Sequence, residues 1–223
     1  MNLKELPFFK NISDSSFQKF EKKCVFYKFK IGQPMSVKDN IPNEILIIAE
    51  GEARLVSQEG EEYITIAKLS PGNPVGLASL LTVKGCEEVF ASNELKAIGI
   101  PQSCIVDLYE NEESFKDFCD CHIFPAELLA LTKKLIKNSP RTDIKLRTAF
   151  NFLAKSAQPK LLSVYNKSIL KKEKDYTTII SSANFENLSI GNIVGGPIEI
   201  LIRPPFAGRL LQIKNEVHNL FTT

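Results

Sequence analysis

The densest group of side chains that could do chemistry is Cys119-Asp120-Cys121-His122, which combines two thiols, a carboxylate and an imidazole. Thiolates and imidazoles are the ligands that zinc prefers in proteins. The apolar residues around this group recur at helical spacing, and side chains two positions apart on a helix point in different directions. The two cysteines would therefore chelate one ion poorly, and no second ligand cluster is evident in the sequence. We predict a packed helix here and no metal.

Catalysis by a cysteine nucleophile would also draw on these residue types. The cysteines number five and are spaced irregularly: Cys24, Cys86, Cys104, Cys119 and Cys121. None of them lies in a recognisable nucleophile motif. The chain also contains no glycine-rich phosphate loop that ends in Gly-Lys-Ser or Gly-Lys-Thr. We therefore expect no enzymatic activity and no certain cofactor.

Composition and charge are those of an ordinary globular protein. Hydrophobic residues make up 43% of the 223 residues, and the formal net charge is +2. That charge is too small to indicate nucleic acid as a partner. The odd number of cysteines is typical of a reducing compartment, and no apolar run reaches the roughly 20 residues of a membrane helix. We expect a cytoplasmic chain, which could also be the soluble part of a larger membrane-associated protein.

Short strands dominate the first hundred residues. From Val25 onward, apolar residues alternate with polar ones, and turns rich in glycine and proline separate the runs. This pattern is typical of a β-barrel or jelly roll. The predicted strands are Val25–Phe29, Met35–Val37, Glu44–Ala49, Ala53–Ser57, Tyr63–Leu69, Val89–Ala91 and Leu95–Ile100.

Helices are predicted at both ends of this strand-rich region. Ser13 is a good N-cap for a first helix. After Pro101 the period returns to that of a helix, and Pro125 should interrupt the long helical run near Phe124. The predicted later helices are Cys104–Tyr109, Glu113–Lys137, and a third that Thr142 would cap and that would end near Ala157.

The last 66 residues are harder to interpret. Tyr176–Ser181, Pro197–Ile202 and Arg209–Ile213 are predicted strands. The basic run Lys167–Lys174 is most simply a solvated loop. No internal repeat is evident in the sequence.

Several spaced motifs resemble the cyclic-nucleotide-binding domain family. They are the turn at Gly32-Gln33, the apolar run Ile45–Gly51 with Ala53-Arg54-Leu55 after it, and the glycine-containing stretch Leu69–Leu81. The resemblance covers Met1 to about Lys137. It implies an N-terminal helical bundle, an eight-stranded roll, a short helix inside the roll and a long hinge helix after it.

This resemblance sets the expected fold and domain limits. The fold class is α+β and mainly β, an eight-stranded β-roll or jelly roll with flanking helices, followed by a small β-rich C-terminal segment. We predict a cyclic nucleotide-binding-like domain with its hinge helix at 1–137, a connecting helix at 138–157, and a β-rich tail or linker to a further domain at 158–223.

The family's phosphate-binding cassette supplies the candidate ligand site. There, a glycine turn leads into a short helix whose N-terminal N–H groups face the cyclic phosphate. By resemblance, the ligand-binding positions of this chain are Gly72, Val75, Gly76, Leu77, Ala78, Ser79, Lys84, Cys86 and Glu87.

The cassette departs from the family where charge matters. Leu77 stands where nucleotide-binding members have a glutamate, and Gly85 stands where they have the arginine that pairs with the phosphate. Losing one partner of a buried charge pair costs roughly 2–5 kcal/mol. Glu87 and Glu88 would add negative charge nearby, and Lys84 offers only a flexible point charge. We expect weak or no binding of cyclic AMP or GMP. Another small ligand, no ligand at all, or a cyclic nucleotide held by non-standard residues all stay open.

A narrower resemblance extends over Gly72–Leu81, Gly85–Ser92, Thr65–Leu69 and Ala126–Leu128. These segments are similar to the N-terminal domain of cyanobacterial ABC exporters that carry a peptidase domain. The resemblance implies a regulatory or sensor domain of a peptide or toxin exporter. Its partners would be the remaining domains of that transporter, and a homodimer through the hinge helices would fit as well.

A transcription regulator of the catabolite-activator type is the main alternative. Such proteins have the same roll and a C-terminal helix-turn-helix, in which two short helices follow one another closely. After Pro159 this chain shows strand-like runs with several glycines and prolines instead. We expect no nucleic acid as a partner, and this alternative would require an atypical C-terminal part.

Overall fold

The computed structural model describes residues 2–156, 160–165 and 168–222. The chain forms two compact units, Met1–Cys119 and Asp120–Thr223. The domain boundaries that the sequence suggests at residues 137 and 157 separate segments that could fold independently, and these boundaries stay predictions. Lys167 of the predicted basic loop and residues 158–159 of the predicted tail lie outside the described ranges.

The first unit is built mainly from strands. A short 3₁₀ turn at Leu3–Glu5 and helix α1 (Asp14–Glu21) precede the first strand. The strands are β1 (Val25–Phe29), β2 (Pro34–Ser36), β3 (Glu44–Glu50), β4 (Ala53–Glu59), β5 (Glu62–Leu69), β6 (Pro74–Val75), β7 (Val89–Ala91) and β8 (Leu95–Pro101). Helix α2 (Leu77–Leu81) lies between β6 and β7, and α3 (Gln102–Asn111) and α4 (Glu113–Cys121) follow β8.

These strands form two antiparallel four-stranded sheets. One has the order β1-β8-β3-β6 and the other β2-β7-β4-β5. Apolar side chains of both sheets are buried, among them Ile45 and Ile48 of β3, Leu55 of β4 and Ala97 of β8. The predicted mainly β fold with an eight-stranded roll and flanking helices is confirmed. The one strand that the sequence did not indicate is the two-residue β6.

Local sequence explains where the helices begin. The Ser13 side chain accepts a hydrogen bond from the backbone N–H of Ser16, as predicted for the N-cap of α1. Phe124 is extended and Pro125 occupies the first turn of α5 (Pro125–Asn138), so the predicted interruption is confirmed. Proline fits this position because its missing N–H has no helical partner there. Among the described helices, none combines the length and the apolar character needed to span a membrane.

The predicted cap at Thr142 is wrong. Helix α6 begins at Leu146 and is described to Ser156. The Arg141 guanidinium instead donates to both carboxylate oxygens of Asp143, at 3.0 and 2.7 Å. Residues 139–145 are not helical, and the first helical hydrogen bond runs from the Ala149 N–H to the carbonyl of Lys145 at 3.0 Å.

The second unit contains α5, α6 and a smaller set of strands. These are β9 (Lys160–Val164), β10 (Ser168–Leu170), β11 (Tyr176–Ile180), β12 (Ile198–Ile200) and β13 (Gly208–Lys214), followed by helix α7 (Asn215–Asn219). The sheet orders are β11-β13-β9 and β10-β12. Its core contains Ile180, Phe185, Val194, Ile200 and Leu210.

The sheets of the second unit repeat those of the first. Strand β13 lies between β9 and β11, as β8 lies between β1 and β3. Gly99 of β8 is opposite Val25 on one side and Leu46 on the other. Gln212 of β13 is likewise opposite Lys160 and Thr178, and the neighbouring pairs continue in step. Strand β10 also pairs with β12 as β2 pairs with β7. The expectation that the chain lacks an internal repeat is therefore wrong.

A buried ion pair holds α5 to the second unit's sheet. Arg209 of β13 donates from Nε and Nη2 to the two carboxylate oxygens of Glu127, at 3.0 and 2.8 Å. Both side chains are inaccessible to solvent. The Ser181 hydroxyl also donates to Glu127, and Arg209 donates to the carbonyl of His122. These hydrogen bonds satisfy the groups that burial removes from water.

Candidate functional site

The predicted cassette begins with a hydrogen-bonded turn against strand β3. The Gly72 N–H donates to the carbonyl of Ile48 at 2.8 Å, and the Asn73 N–H donates to the carbonyl of Ser70 at 3.0 Å. The Asn73 side chain accepts from the Ser70 N–H at 2.8 Å. Gly72 has φ +91°, a conformation that glycine adopts at little cost. The turn shape that the sequence predicts is present.

Gly76 takes the chain from β6 into helix α2. Its φ is +95°, and a Cβ at this position would lie 2.6 Å from Cγ of Pro42. All five residues of α2 are buried, including the apolar Leu77, Leu80 and Leu81. Leu77, where a nucleotide-binding member would present a glutamate, therefore faces the interior of the protein.

The structure brings most of the predicted site residues together. Val75, Gly76, Leu77, Ala78, Ser79 and Glu87 are all buried, and Gly72 and Cys86 are half-buried. The Cys86 N–H donates to Oγ of Ser79 at 3.0 Å. Lys84 is the exception because its side chain is exposed to solvent beyond the end of α2.

Glu87 occupies the N-terminal end of α2. Its carboxylate accepts hydrogen bonds from Oγ of Ser79 at 3.0 Å and from the Ser79 N–H at 3.4 Å. The backbone N–H groups of Gly76 and Ala78 also interact with it. Burial raises the pKa of Glu87 from 4.5 to about 7, and the hydrogen bonds from Ser79, Gly76 and Ala78 oppose this rise. The N–H groups that resemblance assigns to a phosphate are thus directed at a carboxyl group of the chain itself.

The sequence analysis predicted Glu87 as a ligand-binding position and as a negative charge near the phosphate site, but not as a partner of Ser79. No spacing rule reveals this contact, because Glu87 follows Ser79 by eight residues across a loop. Thr82 helps to hold this loop in place. Its hydroxyl lies within hydrogen-bond distance of two carbonyl oxygens, those of Ala78 at 2.8 Å and Lys84 at 3.2 Å. The hydroxyl of Ser36 on β2 donates to the carbonyl of Glu87.

Gly85 stands in a tight position between two loops. A Cβ there would overlap the backbone of Asp39 and Asn40. Asp39 itself has φ +64°, in the left-handed region. The loop between β2 and β3 therefore fills the space that an arginine at position 85 would need. An arginine at position 85 would therefore require this loop to move.

Four described cavities lie elsewhere. One of about 550 Å³ is lined by residues that include Lys28, Phe29 and Lys96, and one of about 440 Å³ by residues that include Phe20 and Cys104. Two cavities of about 350 and 200 Å³ lie in the second unit. None of these four is lined by a predicted site residue.

The Cys119–His122 group does not form a cluster in the structure. Cys119 is buried and Cys121 is exposed on α4, as expected for residues two apart on a helix. Across residues 2–156, 160–165 and 168–222, no three histidine, cysteine, aspartate or glutamate side chains come together in a way that could hold a metal ion.

The cassette turn occurs a second time, which the sequence prediction missed. Leu69–Gly76 reads LSPGNPVG and Leu188–Gly195 reads LSIGNIVG. The Gly191 N–H donates to the carbonyl of Ile180 at 2.8 Å, and the Asn192 N–H donates to the carbonyl of Ser189 at 2.9 Å. Asn192 also accepts from the Ser189 N–H at 2.7 Å. These are the bonds of the first turn, made at equivalent positions.

No family model matches the chain, and no curated protein matches it. Among solved structures, cAMP-bound PfPKA-R is similar with 12% identity and a TM-score of 0.46, over 98% of this chain and 80% of that one. The regulatory domain of Toxoplasma gondii PKA with cAMP gives 10% and 0.46, over 98% and 91%. A cyclic nucleotide-binding-like protein from Brucella abortus gives 18% and 0.42, over 49% and 95%. These neighbours are cyclic nucleotide-binding domain proteins.

Proposed function

We propose that this chain is a regulatory module with a cyclic nucleotide-binding-like roll that does not use cyclic AMP or GMP as its ligand. The observation that carries the proposal is the position of Glu87. Its carboxyl group lies at the N-terminus of α2 and takes up the Ser79 hydroxyl and the neighbouring N–H groups. A phosphate at the same place would have to displace it.

Charge and packing add to this exclusion. An ionised Glu87 would repel a phosphate in surroundings of low dielectric constant, where charges interact strongly. At Gly85, where the resemblance expects an arginine, the backbone of Asp39 and Asn40 leaves no room for that side chain. Leu77 is buried and carries no group that could bind a ribose hydroxyl. The roll is therefore expected to keep its shape without a nucleotide.

The larger machine in which we propose that the module acts is a peptide or toxin exporter. This part of the proposal rests on the sequence similarity to the N-terminal domains of such exporters. The module would then signal through contacts with the other domains of the transporter. A change of state would require a partner that binds two arrangements of the module with different affinity.

Titration calorimetry of the full chain tests the proposal directly. We expect no binding of cyclic AMP, cyclic GMP or a cyclic dinucleotide at ligand concentrations of about 1 mM, which corresponds to a binding free energy of roughly 4 kcal/mol. Micromolar binding of either mononucleotide would overturn the proposal.

Two variants locate the cause of the exclusion. Gly85→Arg restores the arginine of the resemblance, and we expect it to lower the unfolding temperature without creating nucleotide binding. The matched variant Lys84→Arg adds the same side chain at the exposed neighbouring position, and we expect it to leave the unfolding temperature unchanged. Nucleotide binding by Gly85→Arg would show that the pocket is open and that only the arginine was missing.

A further inference from the structure

The second cassette turn leads into a different continuation of the chain. In the first unit, Val75-Gly76 is followed at once by the buried helix α2. In the second unit, the equivalent Val194-Gly195 is followed by Gly196-Pro197 and then by strand β12. Helix α2 therefore has no counterpart among the described residues of the second unit.

A cavity of about 200 Å³ lies at this position in the second unit. Its lining is apolar and uncharged, and includes Ile180, Leu188, Ile193, Val194, Gly196 and Ile198. A Cβ at Gly196 would meet no atom within 4 Å. By alignment of the two turns, Gly196 corresponds to Leu77, the first residue of α2. Open space therefore lies beside the residue that follows the second turn, at the alignment position where α2 begins in the first unit.

Two of the apolar residues around this space are incompletely covered. Leu188 is half-buried, whereas the equivalent Leu69 is 9% exposed. Ile193 is 49% exposed. Leaving such side chains in water forgoes the free energy that their burial would contribute.

We propose that this cavity and its rim bind a short helical segment of a partner polypeptide, with leucines spaced as in α2. The first unit identifies the occupant, because the same turn there is followed by the buried segment Leu77–Leu81, which carries leucines at 77, 80 and 81. The volume suits one such side chain, since a cavity of about 150 Å³ accepts a benzene molecule in another protein. The uncharged lining argues against a phosphate at this place. The proposal concerns the second unit and does not depend on what the first roll binds.

The experiment uses the full chain and a helix-stabilised peptide with the sequence of residues 76–83. Binding is followed by NMR through the methyl groups of Ile193 and Val194. We expect saturable shifts of these methyl signals in the wild-type chain. In Gly196→Leu the chain supplies the leucine itself, and we expect peptide affinity to fall by about tenfold or more, as expected when about 1.4 kcal/mol of contact is lost.

Two further variants keep the result interpretable. Asn187→Leu adds the same side chain on an exposed loop outside the cavity lining, and we expect it to bind the peptide as the wild type does. Ile193→Asp introduces a charge at the half-exposed rim without emptying the core, and we expect it to weaken binding. Failure of the wild type to bind at 1 mM peptide, or equal binding by Gly196→Leu and the wild type, would overturn the proposal.

Discussion

The two units share one strand framework and differ in what lies next to it. In both, the central strand pairs with its neighbours in the same register, and six identical residues out of eight form a turn against one of those neighbours, β3 or β11. The first unit then adds the β4–β5 hairpin and helix α2. In the second unit, residues 181–187 replace the hairpin and Gly196-Pro197 replace the helix. The comparison shows that the paired strands and the turn can form without the two elements that complete the first roll.

One equivalent position shows how the smaller unit compensates. Lys96 of β8 corresponds to Arg209 of β13. Lys96 forms an exposed ion pair with Glu50 at 2.6 Å, whereas Arg209 forms the buried bidentate pair with Glu127. A surface ion pair contributes little to the stability of a protein. Removing one member of a buried ion pair, by contrast, strongly destabilises the protein. The second unit therefore has a buried ion pair at a position where the first unit has a solvent-exposed one.

The largest expected effect breaks that compensation. Arg209→Met should lower the free energy of unfolding by roughly 3–5 kcal/mol, because it leaves the Glu127 carboxylate buried and unpaired. Chemical denaturation followed by circular dichroism measures the loss. Lys96→Met, at the equivalent position, should leave the denaturation midpoint unchanged.

A double variant separates charge from packing. Arg209→Met with Glu127→Leu removes both charges, and it should be more stable than Arg209→Met alone. If Arg209→Met were as stable as the wild type, the difference between the two equivalent positions would have no energetic meaning.

The next effect concerns Glu87, which has no counterpart in the second unit. Its pKa is raised to about 7 in the folded chain, so the folded state binds more protons than the unfolded state between pH 4.5 and 7. The free energy of unfolding should therefore decrease by roughly 3 kcal/mol as the pH rises through this range, and then stay level. Denaturation at a series of pH values should show a smaller decrease in Glu87→Gln.

The quantity to compare is the pH dependence of the free energy of unfolding in the wild type and in Glu87→Gln. His122 and His218 have pKa values lowered, chiefly by burial, and they increase stability with rising pH near the same range. Both proteins contain these histidines, so their contribution cancels in the comparison. Identical pH profiles of the wild type and Glu87→Gln would show that Glu87 does not lie buried at the end of α2.

A smaller effect tests the equivalence of the two turns. Gly72 and Gly191 have φ of +91° and +87°, and alanine in this conformation costs about 1 kcal/mol. Gly191→Ala should cost more than Gly72→Ala, because its Cβ would overlap the side chain of Lys134. Gly60→Ala is the control for φ alone, since its φ is +63° and its Cβ would meet nothing within 4 Å. A neutral Gly191→Ala would contradict the repeat of the turn.

The smallest effect has the opposite sign. Val83 follows the end of α2 with φ +52°, which is unfavourable for a β-branched residue. The Lys84 N–H donates to the carbonyl of Ser79, as in helices that end with a left-handed residue. Val83→Gly should raise the free energy of unfolding by about 1 kcal/mol. A decrease in the denaturation midpoint would indicate that the exposed valine contributes packing that outweighs its strain.

The strands of the first unit could be predicted because their information is local. Alternation from Val25 onward and the glycine turns place every strand except β6 to within about two residues. The helix interruption at Pro125 is equally local. The start of α6 was predicted three residues too early: the Ala149 N–H donates to the carbonyl of Lys145, so the helix is capped there and not at Thr142. In the tail, β9 was not predicted, and β10 (Ser168–Leu170) lies within the run Lys167–Lys174 that was predicted to be a loop.

By itself, the sequence determined the eight-stranded roll, the cassette turn and the absence of an arginine and a glutamate at the positions where the resemblance expects them. The short strands and turns follow from residue type and spacing, whereas the number of strands and the expected arginine and glutamate follow from the resemblance. Only the tertiary structure decided that Glu87 reaches the end of α2, that the loop at Asp39 fills the arginine's place, and that the second unit repeats the first. Each of these depends on contacts between residues far apart in the chain or on strand register, which no local pattern encodes.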